Sequence, residues 1–274
     1  MILDLSTLTV TVDAGVAELR MNRPKQANSL SRAMWSELRA AVNALDTDPS
    51  VRVVVLAGEG RHFCAGIDTE MLGGLLELKP GEGECTGRAF EEMRRIILDL
   101  QDVITAFERC RKPVLAAVQG ACIGAGLDLA VGCDLRYASA DANFVLKEVD
   151  MGLAADVGVL QRLPRIVGEG VARELAYTCR PVSGIEAERL RLVNRCFDTP
   201  EELGRGVLEI ARELAAKSPL AMRGTKHAIT YARDHSVADG LEQIATWNGA
   251  TLLANDLAEG LAAFLQKRPG NYAD

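Results

Sequence analysis

The chain has 274 residues, of which 48% are hydrophobic and 25% charged, and its formal net charge is −7. This composition is typical of a globular protein, and its scattered lysines and arginines argue against a nucleic-acid partner or a membrane partner. The seven cysteines and three histidines show no zinc-site spacing, so a metal site is not expected and the thiols are predicted to be reduced. Without a recognisable leader, membrane span or SKL-type ending, the sequence predicts a cytoplasmic location.

The first part of the chain alternates between strand and helix patterns. Residues 8–12 and 16–21 alternate apolar and polar side chains around a short Asp-Ala-Gly turn, which predicts a hairpin. Ser31 can cap a helix that continues to about Leu45. Residues 51–57 are apolar except for Arg52, which predicts a strand buried on both faces. Further strands are predicted at residues 113–118, 135–139 and 144–147, and further helices at residues 90–109 and from about Ala125.

The sequence changes character near Thr199. From there onward it shows helical patterns almost without interruption and no strand pattern. We therefore predict an α/β body at residues 1–198 and a helical C-terminal region at residues 199–274. Within the body, the glycine-rich stretch GGLLELKPGEGECTG at residues 73–87 predicts a mobile loop.

Two turns that follow predicted strands are built of small residues, FCAGID and CIGAGLDLA. Such loops let a ligand approach backbone N–H groups closely, and two converging amides can form an oxyanion hole. The simpler explanation for either loop alone is a tight turn at which strand and helix pack closely. A dinucleotide site is not indicated, because GACIGAG does not match the GxGxxG pattern.

Four segments together resemble a known family, namely NRPKQANSL, HFCAGID, QGACIGAGLDLAVGCDLRYAS and FVLKEVDMGLAADVGVLQRLPRIVG. They are similar to the enoyl-CoA hydratase/isomerase (crotonase) superfamily, and within it most similar to the Δ3,5-Δ2,4-dienoyl-CoA isomerases. The resemblance implies an α/β, crotonase-like spiral of ββα repeats with a helical C-terminal trimerisation region. It further implies a homotrimer or a homohexamer.

The resemblance also implies where an acyl-CoA substrate would bind. The thioester oxygen would lie between the backbone N–H groups of Ile67 and Ala125, which form the oxyanion hole. Lys226 and Lys267 are further candidates to contact the coenzyme A phosphates, although a solvated surface lysine is the simpler explanation for each. The substrate-binding residues implied are Ala65, Gly66, Ile67, Asp68, Thr69, Ala125 and Lys25.

Three acids, Asp128, Glu148 and Asp156, are implied to be catalytic by the same resemblance. In the hydratases, two glutamates match the first two positions and activate a water molecule. In the dienoyl isomerases all three positions carry an acid, and the acids matching Glu148 and Asp156 shuttle protons along the diene. Neither a metal nor a redox cofactor is implied, because coenzyme A is part of the substrate and proton transfer needs only an acid and a base.

Each acid also has a structural explanation. Asp156 could cap the following helix, Glu148 could be a solvated strand end, and an acid at Asp128 is favoured by a helix dipole. The joint occurrence of three acids and two amide-rich loops favours catalysis. The predicted function is an isomerase that shifts conjugated double bonds of 3,5-dienoyl-CoA to 2,4-dienoyl-CoA in fatty-acid β-oxidation. Alternatives are an enoyl-CoA hydratase that uses the first two acids and a non-catalytic assembly protein.

Overall fold

The computed structural model describes residues 5–76, 78–81 and 85–273, and within them the chain forms nine strands, eleven α-helices and two short 3-10 helices, Pro24–Gln26 and Val149–Met151. The strands are β1 (Leu8–Asp13), β2 (Val16–Met21), β3 (Val53–Gly58), β4 (Val114–Val118), β5 (Ala121–Ile123), β6 (Leu135–Ser139), β7 (Asn143–Val145), β8 (Val182–Ser183) and β9 (Arg195–Phe197). The helices are α1 (Arg32–Thr47), α2 (Thr69–Leu76), α3 (Thr86–Arg109), α4 (Ala125–Gly132), α5 (Val159–Val167), α6 (Glu169–Thr178), α7 (Gly184–Arg189), α8 (Pro200–Ala215), α9 (Pro219–Tyr231), α10 (Val237–Thr251) and α11 (Asn255–Gln266).

The strands form two sheets. The larger sheet has the order β1-β2-β3-β4-β6-β9, in which β1 pairs with β2 as the predicted antiparallel hairpin and the other neighbours are parallel. The smaller sheet has the order β5-β7-β8. Because β3 and β4 are parallel neighbours, the loops that follow them leave the same edge of the sheet. The predicted α/β class is confirmed.

Both faces of the larger sheet are buried. Along β3, Val54 and Leu56 belong to the main core with α1 and α3, whereas Val53 and Val55 face a second apolar cluster. Alternate residues of a strand point to opposite faces, so burial of every β3 residue means that both faces are covered. The predicted two-faced strand is therefore confirmed.

The stretch predicted as a mobile loop is partly helical. Helix α2 occupies its first residues, and α3 begins at Thr86 rather than near residue 90. The side chain of Asp68 accepts a hydrogen bond from the N–H of Glu70 at 3.0 Å, which stabilises the start of α2. Residues 77 and 82–84 of the predicted loop lie outside the described residues. The loop prediction was wrong for residues 73–76, which belong to α2. It gave more weight to the glycines than to the neighbouring apolar Met-Leu and Leu-Leu pairs, which favour a helix.

The C-terminal helices differ from one another in burial. Helix α8 contributes Leu203, Val207 and Ala211 to the second apolar cluster, so it packs directly on the sheet. Helices α9 to α11 and the turn that joins α10 to α11 instead leave large apolar side chains exposed, among them Leu253 of the turn at 94% and Phe264 of α11 at 80%. The division of the chain at residue 199 remains a prediction. Among the described residues, every helix is too short or too polar to cross a lipid bilayer.

Candidate active site

The two amide-rich loops lie side by side. Cys64 and Cys122 form an isolated parallel bridge between them. In this bridge the Cys64 N–H donates to the Ala121 carbonyl at 2.9 Å, and the Ile123 N–H donates to the Cys64 carbonyl at 3.0 Å. Two backbone hydrogen bonds therefore hold the loop after β3 against the strand that precedes α4.

Two glycines permit this close approach. Gly66 has φ +96°, and a Cβ there would lie 2.9 Å from the Ile123 carbonyl oxygen and 3.9 Å from the Ala125 nitrogen. A Cβ on Gly126 would lie 2.5 Å from the Cys64 carbonyl oxygen. Neither position has room for a side chain, and Gly66 also has a conformation that residues with a side chain rarely adopt. The packing of the two loops therefore requires glycine at both positions.

The backbone N–H groups of Ile67 and Ala125 have no acceptor among the described residues. Leu30 pairs with the first loop by donating to the Gly66 carbonyl at 2.8 Å and accepting from the Asp68 N–H at 3.1 Å. In this parallel pairing the N–H of Ile67 itself points away from Leu30. Within the described part of the chain, neither the Ile67 nor the Ala125 N–H donates a hydrogen bond. The arrangement is compatible with the predicted oxyanion hole, which stays a prediction.

Asp128 is the most deeply buried of the three acids. Its side chain is fully buried, one carboxyl oxygen (Oδ1) accepts a hydrogen bond from the Val159 N–H at 2.5 Å, and Oδ2 has no partner among the described residues. Burial, together with the nearby charge of Glu148, raises the pKa of Asp128 to about 8. This carboxyl group is therefore mostly protonated at neutral pH.

Glu148 lies against the loop that carries Ala125. Its Oε1 would be 3.2 Å from a Cβ on Gly124, and its Oε2 is buried without a partner among the described residues. Burial raises the pKa of Glu148, and the charge of Asp156 raises it further. Lys147 does not pair with Glu148, because it forms an ion pair with Asp150 at 2.6 Å. Glu148 is therefore a partly buried carboxyl group at the site rather than a solvated strand end.

Asp156 precedes α5 without capping it. Helix α5 begins at Val159, and the Val159 N–H is bonded by Asp128 rather than by Asp156. Gln101 of α3 donates to the backbone carbonyl of Asp156 at 2.6 Å and so fixes this segment. The side chain of Asp156 is exposed, while the protein atoms around it displace part of its solvent and raise its pKa. Its charge acts on both other acids, so the three form one electrostatic group.

The remaining predicted substrate-binding residues lie in the first loop or next to it. Asp68 forms an ion pair with Arg23 at 2.8 Å, and this hydrogen-bonded guanidinium lowers the pKa of Asp68. The Ala65 N–H donates to the Ala27 carbonyl at 3.0 Å. Lys25 is exposed in the short 3-10 helix that precedes Ala27. Thr69 is exposed at the start of α2.

Both interpretations of Lys226, a phosphate contact and a solvated surface side chain, were wrong. Its side chain is only 10% exposed and forms an ion pair with Asp134 at 2.7 Å. Its Nζ also donates to the carbonyls of Phe107 at 3.3 Å and Lys112 at 3.0 Å. Lys226 therefore ties α9 to the body, which sequence spacing could not show. Lys267 is exposed at the end of α11 and remains a candidate.

Asn28 is a structural residue of the site that sequence analysis missed. It is fully buried, and its φ is +54°. Its amide donates to the carbonyls of Glu59 at 3.0 Å and His62 at 2.7 Å, and its oxygen accepts from the Arg23 N–H at 2.9 Å. Asparagine tolerates this left-handed conformation better than most residues. An asparagine at the end of the NRPKQAN turn was therefore the sequence feature that could have indicated this role.

Comparison with curated proteins identifies relatives over most of the chain. The chain is 46% identical to "Delta(3,5)-Delta(2,4)-dienoyl-CoA isomerase, peroxisomal" of Arabidopsis thaliana, over 98% of this chain and 96% of that protein. It is 41% identical to the human "Delta(3,5)-Delta(2,4)-dienoyl-CoA isomerase, mitochondrial", over 92% of this chain and 77% of that protein. The compartments in these names contradict the predicted cytoplasmic location, which was wrong. That prediction rested on the lack of a recognisable address, and such a lack does not exclude import.

Comparison with solved structures and with family models indicates the same family relationship. The fold is similar to the crystal structure of enoyl-CoA hydratase from Bacillus anthracis, with a TM-score of 0.88, 31% sequence identity and coverage of 98% of this chain and 99% of that chain. The predicted crotonase-like fold is confirmed. Residues 11–274 match the family model described as "Enoyl-CoA hydratase/isomerase". The chain belongs to the enoyl-CoA hydratase/isomerase family.

Proposed function

We propose that this chain is an isomerase that converts 3,5-dienoyl-CoA to 2,4-dienoyl-CoA in fatty-acid β-oxidation. The observation that carries the proposal is the electrostatic group of three acids beside two free backbone amides. Relatives named as dienoyl-CoA isomerases at 46% and 41% identity support the same activity. The relative named crotonyl-CoA hydratase is less similar, at 35% identity.

The proposed chemistry begins at the amides. The N–H groups of Ile67 and Ala125 would bind the thioester oxygen and stabilise the negative charge that develops there when C2 loses a proton. The resulting dienolate is delocalised to C6, where a second group returns a proton. Glu148 and Asp156 would carry these two protons, and the reaction would need no metal or redox cofactor.

The acids are suited to hold opposite protonation states. Glu148 and Asp156 both have raised pKa values, and the charge of Asp156 further raises the pKa of Glu148. Neighbouring carboxyl groups titrate as a pair, in which ionisation of one keeps the other protonated to higher pH. One of the two can therefore act as an acid while the other acts as a base.

We also propose that the substrate's coenzyme A moiety contacts the loop of Ala65 to Thr69 and the nearby Lys25. Lys25 lies two residues before Ala27, whose carbonyl binds the first loop, and its side chain is exposed. Within the described part of the chain Lys25 forms no ion pair, so it can approach a phosphate group without giving one up. Asp68 would support the loop rather than bind phosphate, because its carboxylate is paired with Arg23. Gly66 would also support the loop, because its carbonyl accepts the Leu30 N–H.

An assay of the purified wild-type protein tests the function directly. With 3,5-octadienoyl-CoA we expect the absorbance of the conjugated 2,4-dienoyl thioester to grow, and with a 2-enoyl-CoA we expect turnover at least about a hundredfold slower. The reason is that Asp128, which matches a water-activating glutamate of the hydratases, is fully buried and has one oxygen bound by the Val159 N–H. Hydration of the 2-enoyl-CoA at the higher rate would instead identify a hydratase. Absence of both activities would favour a non-catalytic member of the family.

We propose that the protein assembles as a homotrimer or homohexamer. Helices α9 to α11 and the turn between α10 and α11 leave large apolar side chains exposed, and such a surface is unusual for a monomer in water. The contributing residues with more than half of their surface exposed are Ile229, Val237, Leu241, Leu252, Leu253, Leu257, Leu261, Phe264 and Leu265. Light scattering is expected to give a mass three or six times that of the chain, and the 29.5 kDa of a monomer would contradict the proposal.

A further inference from the structure

Asp128 differs from the other two acids in what surrounds it. Glu148 is partly buried and Asp156 is exposed, whereas Asp128 is fully buried. One of its oxygens is already engaged, because Oδ1 accepts the Val159 N–H at 2.5 Å. The carboxyl group is thus held from one side by α5, and its Oδ2 is buried without a partner among the described residues.

The hydrogen bond of Asp128 connects two helices that each hold part of the proposed site. Helix α4 begins at Ala125, whose N–H is a proposed oxyanion donor, and Asp128 lies in its first turn. Helix α5 begins at Val159, three residues after Asp156. The bond therefore fixes the start of α5, and with it the segment of Asp156, relative to the amide of Ala125.

Helix α5 depends on this outside cap. The residue at its N-cap position is Gly158, which has no side chain to bond the first N–H groups. Its φ is +130°, and a Cβ there would meet the guanidinium of Arg162, so a capping side chain cannot be placed at this position without strain. Arg162 in turn forms an ion pair with Glu108 of α3 at 2.6 Å, which gives α5 a second link to the body.

We propose that Asp128 is a positioning residue, which acts by joining α4 to the start of α5 and thereby sets the place of Asp156 relative to the oxyanion hole. This inference rests on the proposed isomerase function. It assigns the proton transfers to Glu148 and Asp156 alone, and it gives Asp128 a role that needs an acceptor oxygen but no exchangeable proton.

Two substitutions separate positioning from proton transfer. Asp128→Asn keeps an oxygen that can accept from the Val159 N–H, so at least about a third of the wild-type kcat should remain. Asp128→Ala removes the acceptor, and we expect kcat to fall about a hundredfold while KM stays within about threefold, because a small misplacement costs mainly the chemical step. If Asp128 carried a proton, the asparagine variant would lose as much activity as the alanine variant.

Amide hydrogen exchange of the peptide at residues 157–163 supplies a readout that does not depend on activity. Exchange should stay slow in wild type and Asp128→Asn and become about fivefold to thirtyfold faster in Asp128→Ala, as expected for loss of a helix cap. If wild type fails to convert 3,5-dienoyl-CoA, the proposed function is wrong, and the exchange data still decide whether Asp128 holds α5.

The outcomes decide the proposal even if one variant does not fold. An asparagine variant as inactive as the alanine variant would overturn it, and so would an alanine variant with wild-type kcat or unchanged exchange. Should Asp128→Ala be insoluble, the asparagine variant decides alone: retained turnover supports positioning, and lost turnover contradicts it.

Discussion

Replacement of Asp156 by asparagine is expected to lower turnover of a 3,5-dienoyl-CoA by about a thousandfold, within the range typical for loss of a general acid or base. Asparagine has nearly the same size but cannot give up or accept the proton that must move between C2 and C6. The fold should survive, because the side chain of Asp156 is exposed and does not cap α5. Glu148→Gln should cause a loss of similar size.

Asp150→Asn provides the matched control for this prediction. Asp150 belongs to the same segment as Glu148, but it is exposed and paired with Lys147, so the change should leave kcat within about twofold. Initial rates of diene conjugation, with circular dichroism to verify folding, measure the effect. Dienoyl turnover within a few-fold of wild type in Asp156→Asn would remove this residue from the mechanism and the isomerase proposal with it.

The second large effect is expected at the oxyanion hole. Ala125→Pro deletes one of the two proposed donors, and loss of such a donor costs about 3 to 4 kcal/mol, or about a hundredfold to a thousandfold in kcat. The helix should tolerate the change, because Ala125 is the first residue of α4, where proline is favoured. The preceding Gly124 is not in the helical region, so the usual clash before proline is also avoided.

Ala125→Gly is the control, because it keeps the N–H and removes only the Cβ. This variant should retain kcat within about fivefold of wild type, whereas the proline variant should be nearly inactive at saturating substrate. Both should show the same circular dichroism spectrum and the same mass in solution. Equal activity of the two variants would mean that the Ala125 amide does not bind the thioester oxygen.

Local patterns were sufficient to predict most elements of the body. The apolar run at β3 became a strand buried on both faces, and Ser31 caps α1 by accepting from the Met34 N–H at 3.3 Å. The proximity of the two amide-rich loops could also be predicted, because chain segments that follow neighbouring parallel strands leave the same edge of the sheet. Short-range chemistry and the direction of the strands decide these features.

Long-range polar contacts could not be predicted in the same way. The hydrogen bond from Val159 to Asp128 spans 31 positions, and the one from Lys226 to Asp134 spans 92. The sequence therefore suggested that Asp156 could cap α5, although Asp128 does so, and that Lys226 could reach phosphate, although it is bound within the fold. No local pattern records which distant partner satisfies a buried charge.

The packing of α8 has a consequence for synthesis of the chain. The sheet face that carries Val53, Leu115 and Tyr137 is covered by Leu203 and Val207 of α8. On a ribosome that adds about 5 to 20 residues per second, all strands of the sheet emerge before α8 does. The nascent sheet therefore displays an apolar face for a time, and such a face is a target for chaperones and a source of aggregation. Conditions that delay the last quarter of translation should thus lower the soluble yield of this protein.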